Sequence, residues 1–472
     1  MISEQLKFWS ELRPSQVALV DGKREITFAE LNSHSRKIAT VLQQRGVKSG
    51  DLVCTVLPAY LDWPTCLAIY MLGAVSMAKL TSDIPDDEMK VDWLITTRSN
   101  PAFDSARTIE ADQQFAELVN TAPELLEPVE FIDQSKIVRI NSTSGTSGKK
   151  KFIGFNTKQL LEIVEAPFSG DFIGNSKFIS TMGFGASQSY NGALRELVRG
   201  QTYFTFTGND SSWVPMISKY DIDILYGSPS KISALVDSAI TSGAKIREGF
   251  IFLLGGSTPT KNLVKKIQTN FACKVFNGYG STETGFIAYS ELDESDEGGL
   301  YVHPYGTIEI VNENDEALQA GEIGILRTKN ARMAEFYMND EVATSKFFRD
   351  GFFYPGDMGY LDPNGKFFLT GRANEVLNLG GVKVSPEQLD DLASTEPGVQ
   401  DAAAFGLDDE SGIPKLAIAL VVDHEFNEES FLTSMKLKFP RAKIEKIFRL
   451  NAIPRNANGK ILRRDLNQNV IN

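Results

Sequence analysis

The residues best equipped for chemistry stand together at Asn277-Gly278-Tyr279-Gly280-Ser281-Thr282-Glu283-Thr284-Gly285. A ring can face a base, hydroxyls can bind a phosphate and a carboxylate can hold Mg²⁺, so the set suits a nucleotide. Gly278-x-Gly280 is not followed three residues later by glycine, which separates the stretch from a dinucleotide fingerprint. A tight glycine turn with incidental polar residues fits the same spacing. A second stretch, Asn141-Ser142-Thr143-Ser144-Gly145-Thr146-Ser147-Gly148-Lys149-Lys150-Lys151, places lysines and hydroxyls around two glycines. Backbone N–H groups and ammonium charges of that kind can wrap a polyphosphate. Only two residues separate Gly145 from Gly148, where a Walker A loop needs four. A plain Ser/Thr/Gly surface loop is the alternative. Asp357, in Pro355-Gly356-Asp357, and Lys460, in the loop Ile453 to Arg464, are the other isolated charges in glycine- or proline-bounded turns.

The elements that must position these groups read as an alternation. Glu4 to Glu11 has helical spacing, and Val17–Val20 and Ile26–Phe28 form a hairpin-like pair about Asp21-Gly22. Thr27 and Glu30 make a capping box for a helix that runs to the glycine stop at Gly46. Asp51 to Leu57 is a buried strand, followed by a helix from Trp63 to Leu72. Alternating strands and helices predict a largely parallel sheet with helices on both faces. Little can be read from residues 100–135. Strand Ile137–Ile140 runs into the second stretch, a helix follows over Thr157–Val164, and strands are predicted at Phe178–Ser180, Thr202–Phe206, Ile224–Tyr226 and Phe250–Leu254. The last strand ends in the turn Gly255-Gly256-Ser257. Lys274–Phe276 reads as a strand end from which the glycines of the first stretch open a loop, at the edge where open α/β sheets bind ligands. From about Gly299 to Thr370 short alternating runs predict an all-β subdomain. Gly371 to Glu375 reads as a linker to an α+β module that starts at Ser385-Pro386-Glu387.

With 48 basic and 61 acidic residues, the 472-residue chain carries a net charge of −13. That argues against affinity built on neutralising many phosphates. Cys54, Cys66 and Cys273 are too few for a disulfide framework and favour a reducing compartment. The start lacks a basic region followed by an apolar run. The run from Cys66 to Ala78 is too short to span a bilayer. These features predict a cytoplasmic protein.

The succession STSGTSGKKK, NGYGSTETG, FFYPGDMGYLD, GRANEVLNLGG and PRNANGKILRRDL closely resembles the ANL superfamily of adenylate-forming enzymes. The likeness runs from the Ala18–Val20 hairpin to Lys460. It implies a large N-terminal domain of α/β sheets (1–373, β-rich at about 299–370) and a small mobile α+β C-terminal domain (374–472). It further implies ATP and Mg²⁺, attack of a carboxylate on the α-phosphorus to give acyl-AMP and pyrophosphate, and transfer to a thiol. The thiol is that of CoA or, alternatively, of phosphopantetheine on a carrier protein. A degenerate nucleotide-binding protein without turnover is the remaining alternative.

Residue by residue, the resemblance assigns the polyphosphate to Thr143, Ser144, Gly145, Thr146, Ser147, Gly148 and Lys151. The rest of the nucleotide goes to Gly256, Ser257, Asn277, Gly278, Tyr279, Gly280, Ser281 and Thr282. Within that set Tyr279 stacks on adenine and Thr282 contacts the α-phosphate, while Glu283 holds Mg²⁺. Asp357 takes the ribose hydroxyls with Arg372 beside it, and Lys460 bridges carboxylate and α-phosphate. Asn374 is the hinge, and Gly380 and Gly381 line the thiol route. The acyl pocket draws on Phe184, Ser187, Gly256, Gly278 and Phe286. Amino-acid-activating relatives carry Phe-Asp-x-Ser where this chain has Phe184-Gly185-Ala186-Ser187. A buried ammonium would therefore lack its partner, which favours a non-amino (aryl, fatty or other) carboxylic acid. Lys150, Phe152, Pro355 and Leu377-Asn378 depart from the family pattern.

Overall fold

A computed structural model describes residues 2–79, 89–97, 107–129, 133, 135–143, 150–165, 176–293, 298–373, 375–379, 382–407, 415–440, 443–455, 461–463 and 465–466. The chain divides into two compact units, Met1–Leu225 with Arg332–Ser345, and Tyr226–Ala331 with Lys346–Asn472.

In the first unit six strands form one sheet in the order Thr108–Glu110, Trp93–Thr96, Leu52–Val56, Val75–Ala78, Ile137–Thr143, Lys151–Asn156. All neighbours are parallel except the last pair. The strands are short Val-, Ile- and Leu-rich runs, as expected where helices cover a sheet. Leu52, Cys54, Met77, Leu94, Ile140 and Phe152 pack into one core on it. Strands Phe178–Ser180, Tyr203–Thr205 and Val17–Asp21 run parallel, and Arg24–Thr27 pairs antiparallel to the last of them. The long helix Phe28–Arg45 begins with the complete Thr27/Glu30 capping box. It ends at Gly46, whose φ of 102° closes the last turn. The little-read region holds strand Thr108–Glu110 and helix Gln113–Thr121. Asp112 accepts from the Phe115 N–H to start that helix, and Phe115 and Val119 bury its single apolar stripe.

In the second unit strands Ile251–Gly255 and Lys274–Ser281 run parallel, and Gly285–Leu292 and Tyr301–Val302 continue antiparallel. The glycine-rich stretch is therefore not a loop opened at Phe276. The strand continues through Gly278-Tyr279-Gly280 to Ser281, and only Thr282-Glu283-Thr284 turn. The glycines serve close packing. A Cβ on Gly278 would strike the Phe286 ring, and one on Gly280 would meet the Gly285 carbonyl. The predicted β-rich region forms a six-stranded sheet that includes Gly306–Val311, Gly324–Asn330, Asp357–Leu361 and Phe367–Arg372. It is not all β. Helix Glu341–Phe347 interrupts it, and Arg332–Ser345 belongs to the first unit. Gly371 and Arg372 are the end of a strand, not part of a linker. Helix Pro386–Ser394, strands Val399–Leu407, Lys415–Val422 and Lys446–Arg449, and helix Glu428–Lys438 follow the predicted order. Leu389, Ala404, Ile418, Leu420, Phe431 and Met435 form their core.

Candidate functional site

Three strands of the second unit bring Tyr279, Asp357 and Arg372 together. Asp357 opens strand Asp357–Leu361, and its register partner across the antiparallel pair is Arg372, the last residue of Phe367–Arg372. Facing residues of such a pair hold their side chains within reach, and Arg372 Nε lies 3.1 Å from Asp357 Oδ1. The other carboxylate oxygen accepts from the Tyr279 hydroxyl. Asp357 is only 2% exposed, so its carboxylate accepts both bonds from a buried position, while the Arg372 side chain keeps partial contact with water. Burial pushes the Tyr279 hydroxyl well above its ordinary pKa, and the Asp357 charge adds to this, so the phenol stays a donor. Burial opposes the Arg372 charge, but the acidic groups around it, Asp357 foremost with Glu387 and Glu375, contribute to a net rise in its pKa. The Tyr279 ring rests on Phe367 with centroids 5.6 Å apart. Ring, carboxylate and guanidinium are thereby fixed in one constellation that can take an aromatic base beside a diol.

Next to Tyr279 the hairpin turns through Thr282 and Glu283. The Thr284 N–H donates to Ser281 Oγ (3.3 Å), and Asn330 Nδ2 donates to the Thr284 carbonyl (2.9 Å). Glu283 and Asn277 are buried. Among the described residues no group of three or more His, Cys, Asp or Glu side chains forms a metal cage. A single carboxylate at a turn fits Mg²⁺, which is usually held by one or two carboxylates and substrate phosphates. Phe286 covers the face on which Gly278 lacks a side chain. Gly256 and Ser257 follow strand Ile251–Gly255, whose last residue is the register partner of Gly278.

In the first unit Thr143 and Lys151 are register partners at the ends of two antiparallel strands. Lys151 is buried, with its ammonium 5.2 Å over the Tyr337 ring. Ser144 to Gly148 between them lie outside the described residues, as do Asn374, Gly380, Gly381 and Lys460. The Phe184 ring is packed away, stacked on Trp63 at 5.5 Å, and Ser187 starts helix Ser187–Arg199. Arg139 and Asn141, which sequence reasoning passed over, bond to this segment. The alternation Arg139, Asn141, Thr143 along one strand was the signal available.

A family model described as AMP-binding enzyme matches residues 6–338. The chain is 26% identical over 498 residues to a 4-chlorobenzoate–CoA ligase of Arthrobacter sp, covering 98% of this chain and 94% of the relative. It is 24% identical to a 2-succinylbenzoate–CoA ligase of Bacillus licheniformis, with 98% of each covered. Its fold is that of the o-succinylbenzoate CoA synthetase of Bacillus subtilis solved with ATP and magnesium. There the TM-score is 0.83 at 21% identity, with 98% of both chains covered. The same synthetase has been solved with its acyl-adenylate intermediate.

Proposed function

The chain belongs to the family of AMP-binding enzymes, and from that premise we propose that it is an ATP-dependent ligase joining a non-amino carboxylic acid to CoA through an acyl-AMP. The observation that supports this most is the convergence of Tyr279, Asp357 and Arg372 from three strands on one buried hydrogen-bonded centre. Named relatives over the full length are CoA ligases of aryl acids.

In this reading Tyr279 holds the adenine and Asp357, paired with Arg372, accepts from the ribose. Thr282 and Glu283, at the tip of the same hairpin, face the phosphates. Glu283 and the phosphates would hold Mg²⁺, which would neutralise charge on the triphosphate. The substrate carboxylate attacks the α-phosphorus, a C–O–P linkage forms, and the bond to the β-phosphate breaks to release pyrophosphate. Two anions must meet, so Lys151 and Lys460 have to offset their repulsion. The thiol then displaces AMP at the carbonyl carbon, passing its proton to solvent. Phe184-Gly185-Ala186-Ser187 carries no carboxylate for an α-ammonium, which fits a non-amino acid. Ser187, Gly256, Gly278 and Phe286 remain the proposed acyl contacts, whereas Phe184, its ring stacked on Trp63, offers its backbone rather than its side chain. The domain assignment, with hinge Asn374 and thiol-route glycines Gly380 and Gly381, rests on the resemblance.

The test is acid-dependent exchange of labelled pyrophosphate into ATP over a panel of aryl, fatty and amino acids. AMP release is then followed with CoA and with a phosphopantetheinylated carrier protein supplied separately. Exchange with aryl or fatty acids and release with CoA are expected. Exchange with α-amino acids alone, or with none, refutes the reading, and release with the carrier protein alone replaces CoA as acceptor.

A further inference from the structure

Behind Phe184–Ser187 lies a polar cluster to which the nucleotide and acyl assignments give no role. Arg139 is fully buried on strand Ile137–Thr143, a costly place for a guanidinium. Each of its nitrogens has a partner. Nε donates to Asn141 Oδ1 at 3.0 Å, and one terminal nitrogen donates to the Phe184 carbonyl at 2.6 Å. The other terminal nitrogen lies 3.4 Å from Ser76 Oγ and 3.7 Å from Cys66 Sγ. The guanidinium also lies 4.1 Å over the Tyr190 ring. None of these partners is a carboxylate. Asn141, only 2% exposed, passes the chain on, because its Nδ2 donates to Ser187 Oγ at 2.5 Å.

Two bonded routes thus start at one buried cation. One grips the backbone at Phe184, and the other grips the hydroxyl at Ser187, the two ends of a four-residue turn. The strand's alternation puts Arg139, Asn141 and Thr143 on one face. The strand itself is held by neighbours on both sides. Well-packed apolar residues in place of a buried charged network are often neutral or stabilising. The buried Asp62, which accepts from Cys66 Sγ at 3.6 Å, feels the Arg139 charge and offsets part of its cost, but that pairing does not require the bonds toward Phe184 and Ser187, whereas fixing the wall of a binding pocket does. We propose that Arg139 and Asn141 are positioning residues that set acid selectivity by clamping the Phe184 carbonyl and the Ser187 hydroxyl. This rests on the reading that the Phe184–Ser187 turn faces the acyl group.

Acid-dependent pyrophosphate release by the full chain is measured with benzoate, 4-chlorobenzoate, 4-coumarate and octanoate, varying acid and ATP separately. Loss of bonds from a charged donor is expected to raise KM for the best acid and flatten the ranking of acids by roughly tenfold to a hundredfold in Arg139→Met and Asn141→Ala. KM for ATP stays within about twofold, because only acid binding is perturbed. Asn141→Asp, which can still accept from Arg139 and from the Ser187 hydroxyl, restores the ranking. A ranking unchanged in Arg139→Met and Asn141→Ala but altered in Ser187→Ala overturns the clamp and leaves the acyl-wall reading standing. A ranking unchanged in all three removes the acyl wall itself. Should Arg139→Met fail to fold, the Asn141 pair decides: loss in the Ala variant with recovery in the Asp variant supports the clamp, and no loss overturns it.

Discussion

Replacing Asp357 by asparagine isolates the charge at the proposed ribose contact, because size and one acceptor are kept. In the wild type the carboxylate is 3% exposed and pairs with an Arg372 side chain that is 26% exposed. Breaking a fully buried pair costs about 3–5 kcal/mol. Here the guanidinium keeps some water and the amide oxygen still accepts, so the range for bonds to charged groups, about 1.5–3 kcal/mol, applies. At about 1.4 kcal/mol per tenfold, AMP affinity should fall roughly ten- to hundredfold if the ribose uses the same charge. Calorimetric titration with AMP and with 2′- and 3′-deoxy analogues checks this. Wild type should prefer the ribonucleotide, and Asp357→Asn should lose most of that preference, since ligand hydroxyl and carboxylate act as a coupled pair. Undiminished AMP affinity, or full discrimination retained by a folded variant, would falsify the ribose assignment.

Gly280→Ala should destabilise the protein by about 1–3 kcal/mol in a urea titration, because its Cβ meets the backbone at Gly285. Gly278→Ala should cost less, as it meets only the Phe286 ring. Burial raises the Asp62 pKa from 3.8 to about 6, against the hydrogen bond from Thr55 and the charge of Arg139. The folded state then binds the proton more tightly than the unfolded one, so this group lowers stability as pH rises from about 4 to 6. Asp62→Asn should gain stability over wild type across that interval and hold a constant gain above it, read from chemical denaturation at several pH values. Lys460→Ala should lose roughly 10²–10³ in acyl-AMP formation while still binding ATP, and near-normal adenylation would take Lys460 out of the reaction.

What could be read from sequence followed from local physics. Thr27 and Glu30 advertise a helix start because a capping box is built from two side chains three residues apart. Asp357 and Arg372 are 15 residues apart, and the strand pair that joins them was legible only as alternating runs. Gly278 and Gly280 misled, because glycine signals both a turn and a close approach, and only the position of Phe286 and Gly285 decides between them. Helix Gln113–Thr121 is only nine residues long and buries two side chains, too short a stripe to stand out in a polar stretch, although Asp112 was a readable cap. Arg139 was invisible as a buried group: a strand reading Ile-Val-Arg-Ile-Asn does not say which face is dry.

The strands that carry Thr143 and Lys151 are braced by chain made long afterwards. The Met338 N–H donates to the Phe152 carbonyl, Tyr337 lies under the Lys151 ammonium, and Met338 fills the space beside Gly154. During synthesis the first unit cannot finish assembling until the ribosome has passed Ser345. An amino-terminal fragment ending near residue 225 would lack its last brace, so expression of that half alone is a poor route to the strand pair that carries the proposed phosphate contacts.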